Sequence, residues 1–166
     1  RYSQESLREM ENSGKIIFTG KDPKAKRYLK DVQEGVPPST LLPGELVGFN
    51  KDGTSELSEL FGDQGKMFDQ PKPTTLIKWL MRIQRAVDTK DYIVLDSFAG
   101  SGTTGHAVLD LNKEDGGNRK FILVEMEDGI AKDITAERIK RAIEKYDYQD
   151  GFEYCELSKP LFDEDG

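Results

Sequence analysis

The sequence has almost no side chains of the kind that hold metals or form disulfide bonds. Among 166 residues only Cys155 is a cysteine and only His106 is a histidine. A disulfide within the chain, a cysteine or histidine zinc cluster and a histidine-based nucleophilic triad are therefore excluded, and we expect no metal site. A long apolar span and a targeting peptide are also lacking, so the sequence predicts a cytoplasmic protein with no membrane partner.

Basic residues are outnumbered by acidic ones, 24 against 31, and the formal net charge is −7 at pH 7. A surface that wraps nucleic acid without sequence preference needs clustered lysine and arginine, so this balance excludes such a role for the whole surface. Acidic residues dominate after the first third of the chain, so any surface that contacts a nucleic-acid backbone should lie in that first third, although a basic group there is more often a solvated face. The densest basic group there is Lys21, Lys24, Lys26, Arg27 and Lys30.

The most informative stretch runs from Tyr92 to His106 and predicts a strand, a glycine turn and the start of a helix. The apolar run 93–95 is typical of a strand that is buried on both faces in a parallel sheet. Asp96 follows at the carboxyl end of this strand, where open α/β sheets bind their ligands. Gly100 and Gly102 allow a tight turn with bare amide groups facing a ligand. The residues suited to capping the next helix are Ser101, Thr103 and Thr104.

Several kinds of site share such a turn, and the sequence excludes one of them. A phosphate-binding P-loop requires a lysine after its last glycine, whereas His106 follows Gly105. Residues 100–105 do contain the three spaced glycines of a dinucleotide-binding turn, but that short pattern is weakly specific. A glycine turn without a ligand also remains open. The full string Asp-x-Phe-x-Gly-x-Gly-Thr-Thr, which begins at Asp96, most resembles the first S-adenosylmethionine-binding motif of amino-methyltransferases.

The residues before this turn predict a small hairpin followed by a long connection. A short helix is predicted at 4–12, and two strands joined by a turn are predicted at 15–19 and 26–32. Prolines and glycines are frequent from 33 to 69, which predicts an extended, loop-rich segment with one helical turn at 57–61.

A helix is predicted from Thr74 onwards, because Pro73 favours a helix start and apolar residues recur after it at helical spacing. Trp79 and Met81 lie off the apolar line, and Trp79 is expected to cover the core or a partner domain. The side expected to face inward contains Leu76, Ile77, Leu80, Ile83 and Val87.

The residues after the turn predict a second strand at 120–126, which follows a polar loop at 112–119. Glu125 falls at the carboxyl end of this strand, where an acid can accept hydrogen bonds from ribose hydroxyl groups. An amphipathic helix is predicted at 134–146, and a third, short strand is predicted at 152–157.

Together with segments 68–75 and 118–125, the string that begins at Asp96 resembles the C-terminal half of permuted, beta-class DNA amino-methyltransferases. The modification subunits of type III restriction-modification systems are the most similar group, over residues 68–143. The resemblance implies an α/β fold with a partial Rossmann-like, S-adenosylmethionine-dependent methyltransferase sheet, preceded by a hairpin and a loop-rich region. The implied division is 1–66 for the end of the target-recognition region and its connection, 67–158 for the cofactor-binding half of the methyltransferase domain, and 159–166 for an acidic tail.

The catalytic motif of that family does not occur in the sequence. The motif is Asp or Asn followed by Pro-Pro and an aromatic residue, whereas Val36-Pro37-Pro38-Ser39 has neither the first group nor the aromatic. The resemblance places this motif before the target-recognition region, and the chain begins at Arg1 without Met. We therefore expect a C-terminal fragment whose upstream half carries the catalytic motif, and no catalytic residue is assigned.

The resemblance implies S-adenosylmethionine as the cofactor. Glu125 would accept hydrogen bonds from the ribose hydroxyls, and Asp96 would accept from the ammonium group of the methionine tail. Residues 72–74 would close over the methionine end. The implied cofactor-binding set is Lys72, Pro73, Thr74, Asp96, Phe98, Ala99, Gly100, Ser101, Gly102, Thr103 and Glu125.

The implied reaction transfers a methyl group to the exocyclic amino nitrogen of adenine or cytosine in double-stranded DNA, after the base has left the stack. Expected partners are DNA and the upstream half of the same protein, with a homodimer and a restriction subunit as further candidates. Two other functions stay open. A nicotinamide-dinucleotide-binding enzyme would give no reason for Lys72-Pro73 or Phe98, and a DNA-specificity or interaction module would act without catalysis.

Overall fold

A computed structural model describes residues 3–19, 22–26, 37–62, 68–84 and 89–157. The described chain is mixed α/β and divides into two compact units, Arg1–Ser39 and Thr40–Gly166. No helix of the described part is long and apolar enough to cross a membrane.

The first unit contains a helix and a two-stranded hairpin. Helix α1 (Gln4–Asn12) begins after Ser3, whose hydroxyl accepts a hydrogen bond from the Ser6 amide at 3.2 Å. Strands β1 (Ile16–Thr19) and β2 (Asp22–Ala25) then pair antiparallel. The predicted helix, first strand and hairpin are thereby confirmed.

The second strand of the hairpin comes earlier than predicted. Thr19 pairs with Asp22, so Asp22 and Pro23, which were expected in the turn, lie in β2. Proline is tolerated there because β2 pairs on one side only within the described residues. Lys26 follows β2, and the rest of the predicted strand 26–32 lies outside the described residues. Of the basic group, Lys24 and Lys26 are exposed, and the other three members lie outside the described residues.

The second unit is built around a parallel pair of strands with a helix between them. Its strands β3 and β4 pair with Ile93 opposite Lys120 and Asp96 opposite Leu123, and helix α5 is the crossover that parallel strands require. The elements are α2 (Gly44–Val47), α3 (Asn50–Phe61), α4 (Thr74–Ile83), β3 (Ile93–Asp96), α5 (Thr103–Asp115), β4 (Lys120–Leu123), α6 (Asp128–Ile130), a π-helical segment (Ala131–Ala136) and α7 (Glu137–Tyr146).

Helix α5 lies at the centre of this unit and is buried from Thr103 to Leu109, whereas Lys113 and Glu114 near its end are exposed. One side packs with Met81 of α4 and with Val94 and Phe121 of the sheet. The other side, through Leu109, packs with Ile139 of α7. The middle of α5 therefore has apolar residues on two sides, and its exposed polar residues are confined to the last turn and a half.

The parallel sheet is covered on one face only, so the prediction of burial on both faces is wrong. Ile93, Leu95 and Ile122 are 62%, 63% and 51% exposed, whereas Val94 and Phe121 on the opposite face pack against the core. Side chains alternate across a strand, so a single covered face leaves every second apolar residue in water.

The loop-rich segment predicted at 33–69 is wrong where it meets α3, a helix of 12 residues. Leu57 and Phe61 are buried one turn apart, and Gly53 is buried one turn before them. A Cβ atom at Gly53 would come within 2.1 Å of the Pro71 carbonyl oxygen, so glycine is required by close backbone contact. Because of this tertiary contact, the helix contains a glycine that indicates a loop when only the local sequence is considered.

Helix α4 is confirmed from Thr74 but faces the core differently than predicted. Met81 is buried at 3% exposure, whereas Leu80 and Ile83 are 39% and 40% exposed. Trp79 is half-buried, and Val87 lies outside the described residues. Helix α4 contacts the core through Ile77 and Met81. Met81, which lies off the apolar line of the sequence, is therefore the buried residue.

The last elements confirm one prediction and overturn two. The helix predicted at 134–146 is present and begins earlier, through α6 and the π-helical segment. The polar loop predicted at 112–119 is helical as far as Asp115, where α5 ends. The strand predicted at 152–157 is wrong, since these residues are exposed and pair with no described strand. The acidic tail 159–166 lies outside the described residues.

Candidate functional site

Two carboxylates lie at the carboxyl edge of the parallel sheet. The ladder continues beyond β4, because the Val124 amide donates to the Asp96 carbonyl at 2.9 Å and the Ala99 amide donates to the Val124 carbonyl at 3.0 Å. Asp96 and Glu125 therefore end adjacent strands at one edge, as predicted from the sequence. This edge is where open α/β sheets bind their ligands.

The glycine turn is held between these carboxylates. Asp96 Oδ1 accepts from the Phe98 amide at 3.1 Å, and Glu125 Oε2 accepts from the Gly100 amide at 2.9 Å. The Gly102 amide donates to the Ala99 carbonyl at 2.8 Å. The prediction of bare amide groups is therefore wrong for these positions and for Ala99, because their N–H groups are bonded within the chain. The carboxylates, which are acceptors only, are both partly buried and hold the turn through these bonds.

Gly100 and Gly102 are required by both conformation and space. Their φ angles are +49° and +73°, in the left-handed region that favours glycine. A Cβ atom would lie 2.9 Å from the Phe68 ring at Gly100 and 3.0 Å from the Thr135 carbonyl at Gly102. Gly102 is also the N-cap of α5, without a side-chain cap, so the predicted capping by Ser101, Thr103 and Thr104 is wrong.

The hydroxyl groups near the turn tie it to its neighbours instead of capping the helix. Thr104 donates to Asp96 Oδ2 at 2.6 Å, which fixes the strand end to α5. Thr103 donates to the Lys72 carbonyl at 3.1 Å, and its oxygen lies 3.1 Å from the Ser101 hydroxyl. The segment at Lys72 therefore lies next to the glycine turn, as predicted. The Lys72 side chain is exposed, and Pro73 is the N-cap of α4.

The site also contains a residue that sequence analysis missed. Arg138 of α7 is completely buried and donates to Thr103 Oγ1 at 2.8 Å and to the Ser101 carbonyl at 3.3 Å. Glu56 of α3 accepts from Arg138 Nη2 at 3.1 Å. A signal was available, because Arg138 falls four residues after Ile134 and four before Ala142, on the apolar stripe of this helix. A charged residue on such a stripe indicates a buried partner.

The π-helical segment supports the turn from a further direction. The Thr135 hydroxyl donates to the Gly100 carbonyl at 2.6 Å, and its oxygen also lies 3.1 Å from the Ile130 carbonyl. π-helical segments of this kind often occur at functional sites. The carbonyl side of the turn is thereby fixed by Thr135, as its amide side is fixed by Glu125.

His106 lies in α5 under the turn and is buried at 4% exposure. Burial, and then the nearby positive charge of Arg138, lower the pKa of His106 to about 4. Its Nδ1 lies 3.4 Å from Arg138 Nε, and its ring stacks on Tyr146. The imidazole is therefore neutral near pH 7 and acts as an acceptor in the core.

The outer surface of the edge combines acceptors with exposed apolar groups. Phe98 and Met126 are both 81% exposed, and each lies within two residues of one of the carboxylates. Such an edge can accept hydrogen bonds from hydroxyl or ammonium groups and can cover a flat heterocycle. Within the described residues no group of three or more His, Cys, Asp or Glu side chains could hold a metal ion.

The unit is a mixed α/β structure with a glycine turn between two carboxylates that follow neighbouring parallel strands, at the edge where open α/β sheets bind their ligands. The chain belongs to the DNA methylase family (N6_N4_Mtase), whose model matches residues 7–137. The resemblance predicted from the sequence is thereby confirmed at the level of the family.

Three relatives show the same likeness. The chain is 49% identical over 92 residues to the type III restriction-modification enzyme StyLTI Mod subunit of Salmonella typhimurium, covering 55% of the chain and 13% of that protein. It is 42% identical over 84 residues to the type II methyltransferase M.KpnI of Klebsiella pneumoniae, covering 51% and 19%. It is 31% identical over 173 residues to the type III EcoP15I Mod subunit of Escherichia coli, covering 95% and 25%. The chain thus spans a quarter or less of the length of these relatives.

Proposed function

We propose that this chain is the cofactor-binding part of an S-adenosylmethionine-dependent DNA amino-methyltransferase, a modification subunit of a type III restriction-modification system. The observation that carries the proposal is the glycine turn held between Asp96 and Glu125 beside residues 72–74, in a chain of the DNA methylase family. The relatives named Mod subunits support the assignment to a modification subunit.

The remaining hydrogen-bonding capacity of the two carboxylates fits the cofactor. A carboxylate has about four lone-pair sites. Glu125 uses three of them, for the amides of Gly100, Met126 and Glu127, so one site on Oε2 is left for a ribose hydroxyl. Asp96 uses two, for Phe98 and Thr104, and retains two for an ammonium group.

The other members of the proposed site match the remaining parts of the cofactor. The exposed ring of Phe98 suits the adenine. The N-terminus of α5, which begins at Thr103, favours the carboxylate of the methionine tail by about 0.3–1 kcal/mol. The bond from Thr103 to the Lys72 carbonyl supports a role for residues 72–74 in covering the methionine end. The full proposed set is the one implied by the resemblance, from Lys72 to Glu125.

When bound, the cofactor supplies the methyl group that is transferred to the exocyclic amino group of adenine or cytosine in double-stranded DNA. The described residues position the cofactor, and none is assigned to catalysis. We place the catalytic motif, and the further strands of a Rossmann-like sheet, in an upstream half of the same protein. The exposed side chains of Ile93, Leu95 and Ile122 support this placement, because they leave an apolar sheet face to cover.

The proposed partners follow from the same assignment. They are double-stranded DNA, the upstream half, a second copy of the protein in a homodimer, and a restriction subunit. A modification subunit that acts on chromosomal DNA would work in the cytoplasm.

Calorimetry with S-adenosylmethionine tests the proposal on the protein as encoded, including any residues that precede Arg1. Glu125→Ala should weaken binding about tenfold or more, because a hydrogen bond to a charged group is worth about 1.5–3 kcal/mol. Glu125→Gln should weaken it less, since its amide oxygen still accepts from the Gly100 amide. The matched control is Glu127→Ala, which removes an exposed carboxylate two residues away and should leave affinity unchanged.

Three outcomes would contradict the proposal. Equal affinity of the Glu125→Ala protein and the wild type would remove Glu125 from the site. Binding of a nicotinamide dinucleotide in place of S-adenosylmethionine would assign the glycine turn to an oxidoreductase. Binding of DNA without binding of either cofactor would indicate a specificity module.

A further inference from the structure

Arg138 occupies a position that stability alone does not explain. Its guanidinium is completely buried below the glycine turn, and every acceptor it reaches belongs to the turn, to α5 or to Glu56. Burial lowers the pKa of Arg138, and the charge of Glu56 opposes that shift. Because apolar replacement of a buried ion pair is often neutral or stabilising, such a pair is weak evidence for a role in stability.

Glu56 connects Arg138 to the second segment of the proposed cofactor site. Its two oxygens accept from the Thr74 amide at 3.1 and 3.0 Å, and Oε1 also accepts from the Thr74 hydroxyl at 3.0 Å. Thr74 is the first residue of α4 and directly follows Lys72-Pro73. The carboxylate thus fixes the start of α4 with the same group that holds the guanidinium.

These bonds form a closed ring. It runs from Arg138 to Glu56, from Glu56 to Thr74, along the chain to Lys72, from the Lys72 carbonyl to Thr103, and back to Arg138. Residues 72–74 and 101–103, which the proposed function places around the methionine end of the cofactor, are therefore joined by side chains of α3 and α7.

The chemistry of the two charged groups sets the direction of each bond in the ring. Arginine has donors only, so Thr103 must accept from Arg138 and direct its own hydroxyl hydrogen to the Lys72 carbonyl. An ionised glutamate has acceptors only, so both the amide and the hydroxyl of Thr74 must donate to Glu56. The planar guanidinium reaches Thr103 and Glu56 with separate nitrogens, which a lysine ammonium on a flexible stem does not reproduce.

We propose that Arg138 and Glu56 are positioning residues, which fix the spacing between residues 72–74 and 101–103 and thereby set the affinity of the protein for S-adenosylmethionine. This inference rests on the proposed function. Neither residue belongs to the proposed cofactor-binding set, and both would act through the hydrogen bonds to Thr74, Ser101 and Thr103.

The test compares cofactor affinity with stability in the protein as encoded. The double variant Arg138→Met, Glu56→Gln removes both charges but keeps an amide oxygen as acceptor for Thr74. Arg138→Lys is the conservative variant, which keeps the charge and loses the planar fork. Lys78→Met is the matched control, because it removes the ion pairs of Lys78 with Asp110 at 2.9 Å and Glu114 at 2.7 Å, which also join two helices but include no residue of the ring. For each protein we would measure the Tm and, well below it, the Kd for S-adenosylmethionine by calorimetry.

We expect the double variant to bind the cofactor about tenfold more weakly than the wild type while it remains folded. Arg138→Lys should be intermediate, and Lys78→Met should bind as the wild type does, even if its Tm falls. In methyl-transfer assays the KM for the cofactor should rise in the double variant, and the KM for DNA should stay the same.

Two results would overturn the inference and leave the proposed function in place. One is a folded double variant, or a folded Arg138→Lys protein, with wild-type cofactor affinity. The other is an equal loss of affinity in Lys78→Met, which would show that general destabilisation is sufficient. A wild-type protein that does not bind S-adenosylmethionine would instead remove the proposed function, and this inference with it.

Discussion

Substitution of Gly53 by alanine tests the packing of α3, because the structure determines whether it raises or lowers the free energy of unfolding. In an exposed helix interior this substitution stabilises by about 1 kcal/mol, because glycine loses more backbone freedom on folding. Gly53 is instead buried, and a Cβ atom there would lie 2.1 Å from the Pro71 carbonyl oxygen and 2.8 Å from the carbonyl carbons of Pro71 and Lys72. All three are backbone atoms, so no side-chain rotation can relieve the contact.

The size of the effect follows from the displacement needed. Ordinary contact begins near 3.4 Å, so α3 or the segment at Pro71 has to move by about 1 Å. Overpacking of a well-packed interior costs about 1–3 kcal/mol, and a backbone contact belongs near the upper end of that range. After the favourable change in helix propensity, we expect Gly53→Ala to lower the free energy of unfolding by about 2 kcal/mol.

Urea denaturation followed by circular dichroism measures this difference. The control is Gly129→Ala in α6, where a Cβ atom has no neighbour within 4 Å and the substitution should be neutral or stabilising by up to about 1 kcal/mol. If both variants were stabilised alike, α3 would not pack on the backbone at Pro71 and Lys72, and the close contact found there would be refuted.

Three further predictions concern the core and the sheet. The pKa of His106 is about 4 in the folded protein and about 6.5 in the unfolded chain, so the unfolded chain binds more protons between these pH values. The free energy of unfolding should therefore fall by up to about 3 kcal/mol as the pH decreases from 6.5 to 4. In urea melts at each pH, His106→Asn should flatten this dependence. Met81→Ala should lower the free energy of unfolding by about 2–5 kcal/mol and Leu80→Ala by much less, and equal losses would contradict the orientation of α4. The 166-residue chain alone should transfer no methyl groups to DNA and should self-associate through its exposed sheet face. The double variant Leu95→Lys, Ile122→Lys should shift it towards a monomer in sedimentation, and unchanged association would exclude that face as the contact.

Elements whose signals are local could be predicted from the sequence. The run at 93–95 and the glycines after it gave β3, the turn and the start of α5 because strand pattern and turn chemistry act over a few residues. The placement of Asp96 and Glu125 at one sheet edge followed from the parallel arrangement of their strands. The assignment of these residues to a cofactor is still a prediction, since it depends on a ligand.

Features that depend on tertiary contacts could not be predicted in the same way. Gly53 indicated a loop, although contact with Pro71 requires glycine inside a helix. Residues 152–157 have the composition of a strand but no described strand to pair with, and strand propensity alone does not form a sheet. The bare amides expected at the turn are bonded because Glu125 folds back onto Gly100, a contact over 25 residues.

The enclosure of α5 by α4, α7 and the sheet has a consequence for how a ligand is bound. Amides in the buried part of α5, residues 103–109, should exchange with water only when the whole unit unfolds, so the slowest hydrogen exchange is expected there. The glycine turn is the start of this helix and shares its rigidity, since Asp96 and Thr104 join the two. For the cofactor proposed above, we therefore expect binding to a surface that is already ordered. Little conformational entropy should then be lost on binding.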